Sequence, residues 1–168
     1  MDTLIREEQP GNETAIFNVN LAAFGRPDEA NLVKAARAAG DVSLSLVAVR
    51  GSHIIGHVLL SPVSVQTNPQ KYQVLALGPI AVQPAQQRKG VGTQLVQASL
   101  TTCIEKGIAA VVLLGHTSYY PRFGFEPASH YGLTFRGEDV GDSFMVLELS
   151  PGATSSLAGA VHYVPAFT

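Results

Sequence analysis

Two short stretches hold most of the residues whose types and spacing could do chemistry. The first runs Gly78-Pro-Ile-Ala-Val-Gln-Pro-Ala-Gln-Gln-Arg-Lys-Gly-Val-Gly-Thr93. It reads as the end of a strand, a short loop carrying the cations Arg88 and Lys89, and two glycines opening a helix. The free N–H groups and positive end of such a helix attract an anion such as a pyrophosphate. Gly90 and Gly92, having no Cβ, let a ligand approach the backbone closely. Arg88 adds a forked donor and Lys89 a point charge. The second stretch is Tyr119-Tyr-Pro-Arg-Phe-Gly-Phe125, flanked by His116, Ser118 and Glu126. It supplies phenols that could act as acids, with an imidazole and a carboxylate that could act as bases.

Spacing separates the glycine turn from other phosphate loops. A Walker loop needs four residues between its glycines and then Gly-Lys-Ser/Thr, which this stretch lacks. A dinucleotide fingerprint needs a third glycine where Leu95 stands. A plain helix start with no ligand remains the competing reading. His53 and His57 are four apart, but in a Val/Leu/Ile-rich strand that spacing places them about 13 Å apart, too far to share an ion. No metal is expected. Cys103 falls on the apolar face of a helix and reads as a small core residue.

The elements that must position these stretches follow from patterning. Thr3–Arg6 reads as a strand. Asn12–Glu13–Thr14 opens a helix with Ile16, Phe17, Leu21 and Phe24 on its apolar side, stopped by Gly25. Pro27–Asp28–Glu29 starts a second helix, ended by Gly40. Leu44–Val49 and Ile54–Val65 form a hairpin about Arg50–Gly51–Ser52. Tyr72–Val82 is a strand that must bulge or splay at Gly78–Pro79, because Pro cannot donate to a ladder. Gly90–Lys106 is a long helix with Val91, Leu95, Val96, Leu100, Cys103 and Ile104 at helical spacing. Ile108–Leu114 is a strand buried on both faces. A short helix around Ser118–Phe123 and strands at Leu133–Phe135 and Phe144–Leu149 complete a mixed α/β sheet with one crossover.

The chain has 168 residues, 46% of them hydrophobic and 14% charged, with a formal net charge of −2. That length suits one domain over residues 1–168 and a sizeable core. The charge balance gives no general attraction to nucleic acid. One cysteine excludes an internal disulfide framework. No apolar run is long enough for a membrane-spanning helix, and the polar, acidic N-terminus is unlike a secretion signal, so a soluble cytoplasmic protein is expected. Residues 150–168 carry no charged side chain. This extension is expected to pack through Val161, Tyr163 and Phe167, either on the domain or against a second copy in a homodimer.

Gln87-Arg88-Lys89-Gly90-Val91-Gly92 resembles the Gln/Arg-x-x-Gly-x-Gly/Ala signature of the GNAT superfamily of acetyl-CoA-dependent N-acetyltransferases. Leu77–Val82 before it and Tyr119–Phe125 after it are also similar to that superfamily. The second motif begins 27 residues beyond Gly92, after a helix and a strand. The resemblance implies a GNAT-like fold, with a central mixed sheet of about six to seven strands and about four flanking helices. It implies that Gln87, Arg88, Lys89, Gly90, Val91, Gly92 and Thr93 bind the pyrophosphate of acetyl-CoA. Ile80, Ala81 and Val82 would pair with the pantetheine arm, and an N–H near Ile80 would polarise the thioester carbonyl. Ser118 would cap the short helix near that arm. Tyr120, four residues before Gly124, would be the general acid that protonates the departing thiolate. A phenol near pKa ~10 and a thiol near ~8.5 are well enough matched for this.

The implied second substrate is a primary amine on a small molecule or peptide. A free amine of pKa ~10.4 is neutral about once in a thousand at physiological pH, a penalty of about 4 kcal/mol. The acidic side chain that usually serves as base in this superfamily is missing from Tyr72–Val82, which leaves His116, Glu126 or a water chain. Two rivals stay open: a CoA-binding sensor without turnover, and the same fold using a longer acyl donor.

Overall fold

The computed structural model describes residues 2–168. Strand β1 (Leu4–Glu7) is followed by helices α1 (Glu13–Phe24) and α2 (Asp28–Ala39). The hairpin β2 (Leu44–Arg50) and β3 (His53–Thr67) comes next, then β4 (Val74–Val82), α3 (Val91–Glu105) and β5 (Ala110–Leu114). After a 3-10 turn at Tyr120–Phe123 come β6 (Glu126–Pro127), β7 (Leu133–Phe135), β8 (Phe144–Glu148), α4 (Ala153–Ser156) and β9 (Ala158–Tyr163). The main path through the sheet is β1-β2-β3-β4-β5-β8-β6, and β9 bridges the far half of β3 to β7. All neighbours pair antiparallel except β4–β5 and β7–β9.

Nine strands exceed the expected six to seven. The two-residue β6 is too short to show a pattern, and β9 lies in the uncharged extension, where no alternation marks it. Within the chain the extension packs on the domain: Val63, Ser64 and Val65 pair with Tyr163, His162 and Val161, and Phe167 packs against the cluster under α1 and α2.

Helices α1 and α2 end at Gly25 and Gly40, both left-handed, as the sequence predicts. The inward face of α1 differs from the expected one. Ile16, Val19 and Asn20 are buried, while Leu21 and Phe24 are each 38% exposed. A polar Asn20 replaces an aromatic in the core because it finds partners there: its Nδ2 donates to the Ile16 carbonyl at 2.9 Å and lies 3.1 Å from His57 Nδ1. On α3, Val91, Leu95, Val96 and Cys103 face inward as expected, but Ile104 is 61% exposed, at the end of the helix beyond the sheet. Gly56 lets α3 lie close on β3, since a Cβ there would sit 3.0 Å from Leu95 Cδ1 and 3.2 Å from Val91 Cγ1.

Candidate functional site

β4 pairs with β3 along its length but with β5 only from Val74 to Ala76. Beyond Ala76 the two parallel strands part. At the same place Val58 faces Ile80 while Leu60 faces Leu77, so β4 carries one extra residue across Gly78–Pro79. This is the predicted bulge and splay. The Gln83 N–H bonds to the Ile55 carbonyl on β3 at 2.9 Å. Alternation along the strand therefore turns the N–H groups of Ile80 and Val82 to the open edge. The Val82 carbonyl on that edge accepts from Gln87 Nε2 at 3.0 Å, so Gln87 folds its own loop back onto the strand.

That loop makes a one-turn 3-10 helix at Pro84–Gln86 and then two left-handed residues, Arg88 (φ 63°) and Gly90 (φ 88°), before α3 begins at Val91. A non-glycine residue held at positive φ is a local strain that marks functional loops. No side chain caps α3, because Gly90 stands at its N-cap. The first-turn N–H groups and the positive helix end are left for a ligand. At Gly92 a Cβ would meet only the Tyr119 hydroxyl and Val82 Cγ2, both at 3.9 Å. Internal packing therefore does not require a glycine there, and the space above its backbone is open to the cleft. Arg50 braces the start of the loop, donating from Nη1 to Gln86 Oε1 at 2.6 Å and from Nη2 to Thr3 Oγ1 at 2.7 Å. The sequence reading had given Arg50 no role beyond a turn.

Opposite the loop, the turn after β5 brings the phenols in. The N–H groups of Tyr119 and Tyr120 both reach the His116 carbonyl, and Gly124, in the left-handed region, closes the 3-10 turn. Tyr120 is 9% exposed and makes edge contacts with Tyr119 and Phe125 at ring separations of 5.0 and 5.9 Å. Its ring edge lies against Gly115, where a Cβ would come within 2.4 Å of Cε2 and 2.7 Å of Cδ2. Burial pushes the Tyr120 phenol above its ordinary pKa, reinforced by Tyr119. It is therefore protonated throughout the physiological range. Tyr119 is half-buried, with its hydroxyl 2.8 Å from Thr93 Oγ1.

These parts meet at a cleft of about 250 Å³ lined by Ala23, Phe24, Ile80, Val82, Gln87, Gly92, Tyr119 and Tyr120. Of the residues singled out in the sequence, it gathers Ile80, Val82, Gln87, Gly92 and Tyr120. Ala81 is buried facing away, opposite His57. Arg88, Lys89 and Gly90 are exposed at the loop's rim, Val91 is buried, and Thr93 is half-buried one turn into the helix. Ser118 is exposed and caps nothing, because the turn begins a residue later, at Tyr120, with Tyr119 at its N-cap. His116 is exposed at the foot of the turn, outside the cleft lining. Glu126 is exposed on β6, which lies beyond β8 from β5, and there accepts from the Tyr131 hydroxyl. Ala23 and Phe24 line the cleft from the end of α1, and Tyr119, whose ring also packs on Tyr120 and Phe123, lines it from the tyrosine turn.

Cys103 is fully buried on α3, and burial pushes its thiol up to about 11. His53 is exposed and His57 buried, both on β3. Among the described residues no group of three His, Cys, Asp or Glu side chains could hold a metal ion, and no helix is long and apolar enough to cross a membrane.

Residues 5–128 match the family described as the Acetyltransferase (GNAT) domain. The chain belongs to the GNAT superfamily. It is 37% identical over 161 residues to the uncharacterized N-acetyltransferase YhbS of Escherichia coli K12, covering 95% of each chain. Among solved structures, E. coli YhbS in complex with CoA matches with a TM-score of 0.92 at 36% identity, covering 98% of this chain and 91% of that one. A GNAT acetyltransferase of Brucella melitensis in complex with acetyl-CoA matches with a TM-score of 0.81 at 32% identity, covering 99% of both. The chain is thus an acyltransferase of the N-acetyltransferase class, with the mixed α/β fold the two motifs implied.

Proposed function

We propose that this chain moves an acetyl group from acetyl-CoA to a primary amine by direct attack. The observation that carries this reading is the convergence of three features on one cleft: the parted edge of β4, the uncapped start of α3, and a buried phenol. The loop Gln87–Thr93 receives the pyrophosphate on the N–H groups of α3's first turn, with Arg88 and Lys89 at its rim. The open edge at Ile80 and Val82 pairs with the pantetheine arm, and an N–H there stabilises the oxyanion. The amine nitrogen attacks the thioester carbonyl, the C–S bond breaks, and the thiolate takes the Tyr120 proton. The nitrogen's surplus proton leaves to water, and Tyr120 is reprotonated from solvent. The liganded structures of the YhbS and Brucella relatives support the donor, since those complexes are with CoA and acetyl-CoA. The pKa of Cys103, its burial, and its place on the inner face of α3 count against a thioester on the enzyme.

Calorimetric titration with acetyl-CoA, alongside Gly90→Glu as a blocked loop, tests the donor site. Saturable binding lost in the variant is expected; no binding at millimolar acetyl-CoA would overturn the assignment. A thiol-release screen across amines then tests turnover, which Tyr120→Phe should abolish while leaving acetyl-CoA affinity intact.

A further inference from the structure

Tyr119 connects the two halves of the cleft. Its hydroxyl lies 2.8 Å from Thr93 Oγ1, in the first turn of α3. Its carbonyl accepts from Arg122 Nε at 2.8 Å, and the Arg122 guanidinium sits 4.2 Å above its ring. Its edge meets Tyr120 at 5.0 Å and 88°, and Phe123 at 5.4 Å. The ring is thus held from outside by a cation, from inside by two aromatics, and at its tip by a hydroxyl on the phosphate loop. Tyrosine suits this role because it is rigid, with a single polar end.

We propose that Tyr119 is a positioning residue that braces the first turn of α3 against the turn carrying Tyr120, holding the phosphate loop in the shape that receives the donor. This rests on the reading of Gln87–Thr93 as the pyrophosphate loop. Neither side chain needs to touch the donor. Thr93 and Tyr119 act as a pair, so removing either hydroxyl frees the first turn to relax, and removing the second changes little more.

The test is calorimetric affinity for acetyl-CoA in the full chain. Tyr119→Phe and Thr93→Val should each weaken binding about fivefold, the effect of one neutral hydrogen bond. The double variant should be no weaker than either single one, because the two share one interaction. Thr93→Ser, which keeps the hydroxyl, should retain wild-type affinity. Wild-type affinity in Tyr119→Phe, or losses that multiply to about 25-fold in the double variant, would overturn the brace while leaving the donor site standing. Failure of the wild type to bind acetyl-CoA would instead overturn the underlying loop assignment, and the brace with it.

Discussion

Acidification should loosen this protein well before its carboxylates titrate, because of one buried histidine. His57 is wholly buried on β3 between Asn20 and Ser45. Asn20 Nδ2 can only donate, so His57 Nδ1 accepts, and Nε2 carries the proton toward Ser45 Oγ at 2.9 Å. Ser45 donates in turn to Glu8 Oε1 at 2.7 Å, and Glu8 is paired with Arg37 at 2.9 Å. This chain of donors uses a neutral imidazole. Burial lowers the His57 pKa from 6.5 to about 4, against a smaller opposing pull from Glu8. Above pH 6.5 the histidine is neutral in both folded and unfolded chains and adds no pH dependence. Below that the unfolded chain binds the proton and the folded one does not, so stability falls by about 1.4 kcal/mol per unit until the folded pKa is reached. The total is on the order of 3 kcal/mol, a large share of a typical domain's 5–15 kcal/mol. The Glu8 carboxyl is held below its ordinary value by Arg37 and Ser45 despite its partial burial, and the stability it adds is lost further down the acid limb. Urea unfolding at half-unit intervals from neutral pH to pH 4.5 reads the slope. His57→Gln, which retains a donor and an acceptor, should flatten it between pH 6.5 and 4.5. The other four histidines are exposed and common to both proteins. Parallel curves for wild type and variant would refute the assignment of that slope to His57.

Gly115→Ala should lower thiol release about a hundredfold by displacing the Tyr120 ring, while acetyl-CoA affinity stays near wild type; unchanged turnover would remove Tyr120 as the acid. With no carboxylate or imidazole in the cleft lining, kcat/KM for an amine should rise about tenfold per pH unit up to the amine's own pKa. His116→Ala and Glu126→Gln should follow the same line, and a plateau that vanishes in His116→Ala would make His116 the base. Gly56→Ala should cost about 1–3 kcal/mol by crowding Leu95 and Val91, seen as a lowered Tm; a neutral result would mean that α3 can ride outward without penalty.

Much of the fold was legible because local chemistry and global topology agree. Gly25 and Gly40 end helices where only a left-handed residue fits, and Gly78–Pro79 marks the place where β4 leaves β5. The two motifs also located the cleft, since a strand-loop-helix turn and a tyrosine turn two elements later must meet at the same end of a parallel pair. Illegible parts depended on partners distant in sequence. The burial of Asn20 was not legible because nothing near it in sequence announces its partner His57, 37 positions away. Strand β9 was hidden because its first half, Ala158-Gly159-Ala160, consists of small residues that carry no strand pattern.

The base was the least legible part of the chemistry, and the structure gives a physical reason. Every side chain lining the cleft is uncharged. A carboxylate there would stabilise the ammonium form of the acceptor and raise its pKa, working against the neutral amine that attack requires. It would also lie near a donor that carries several negative charges. A cleft of apolar walls and phenols disfavours the ammonium by poor solvation and so pushes the acceptor toward its reactive form. The same walls would strengthen the dipole of an N–H near Ile80 on a thioester oxygen bound as proposed. If the proposed mechanism holds, the acid is a single buried tyrosine, whereas the base is a property of the cleft's polarity and need not be any one residue.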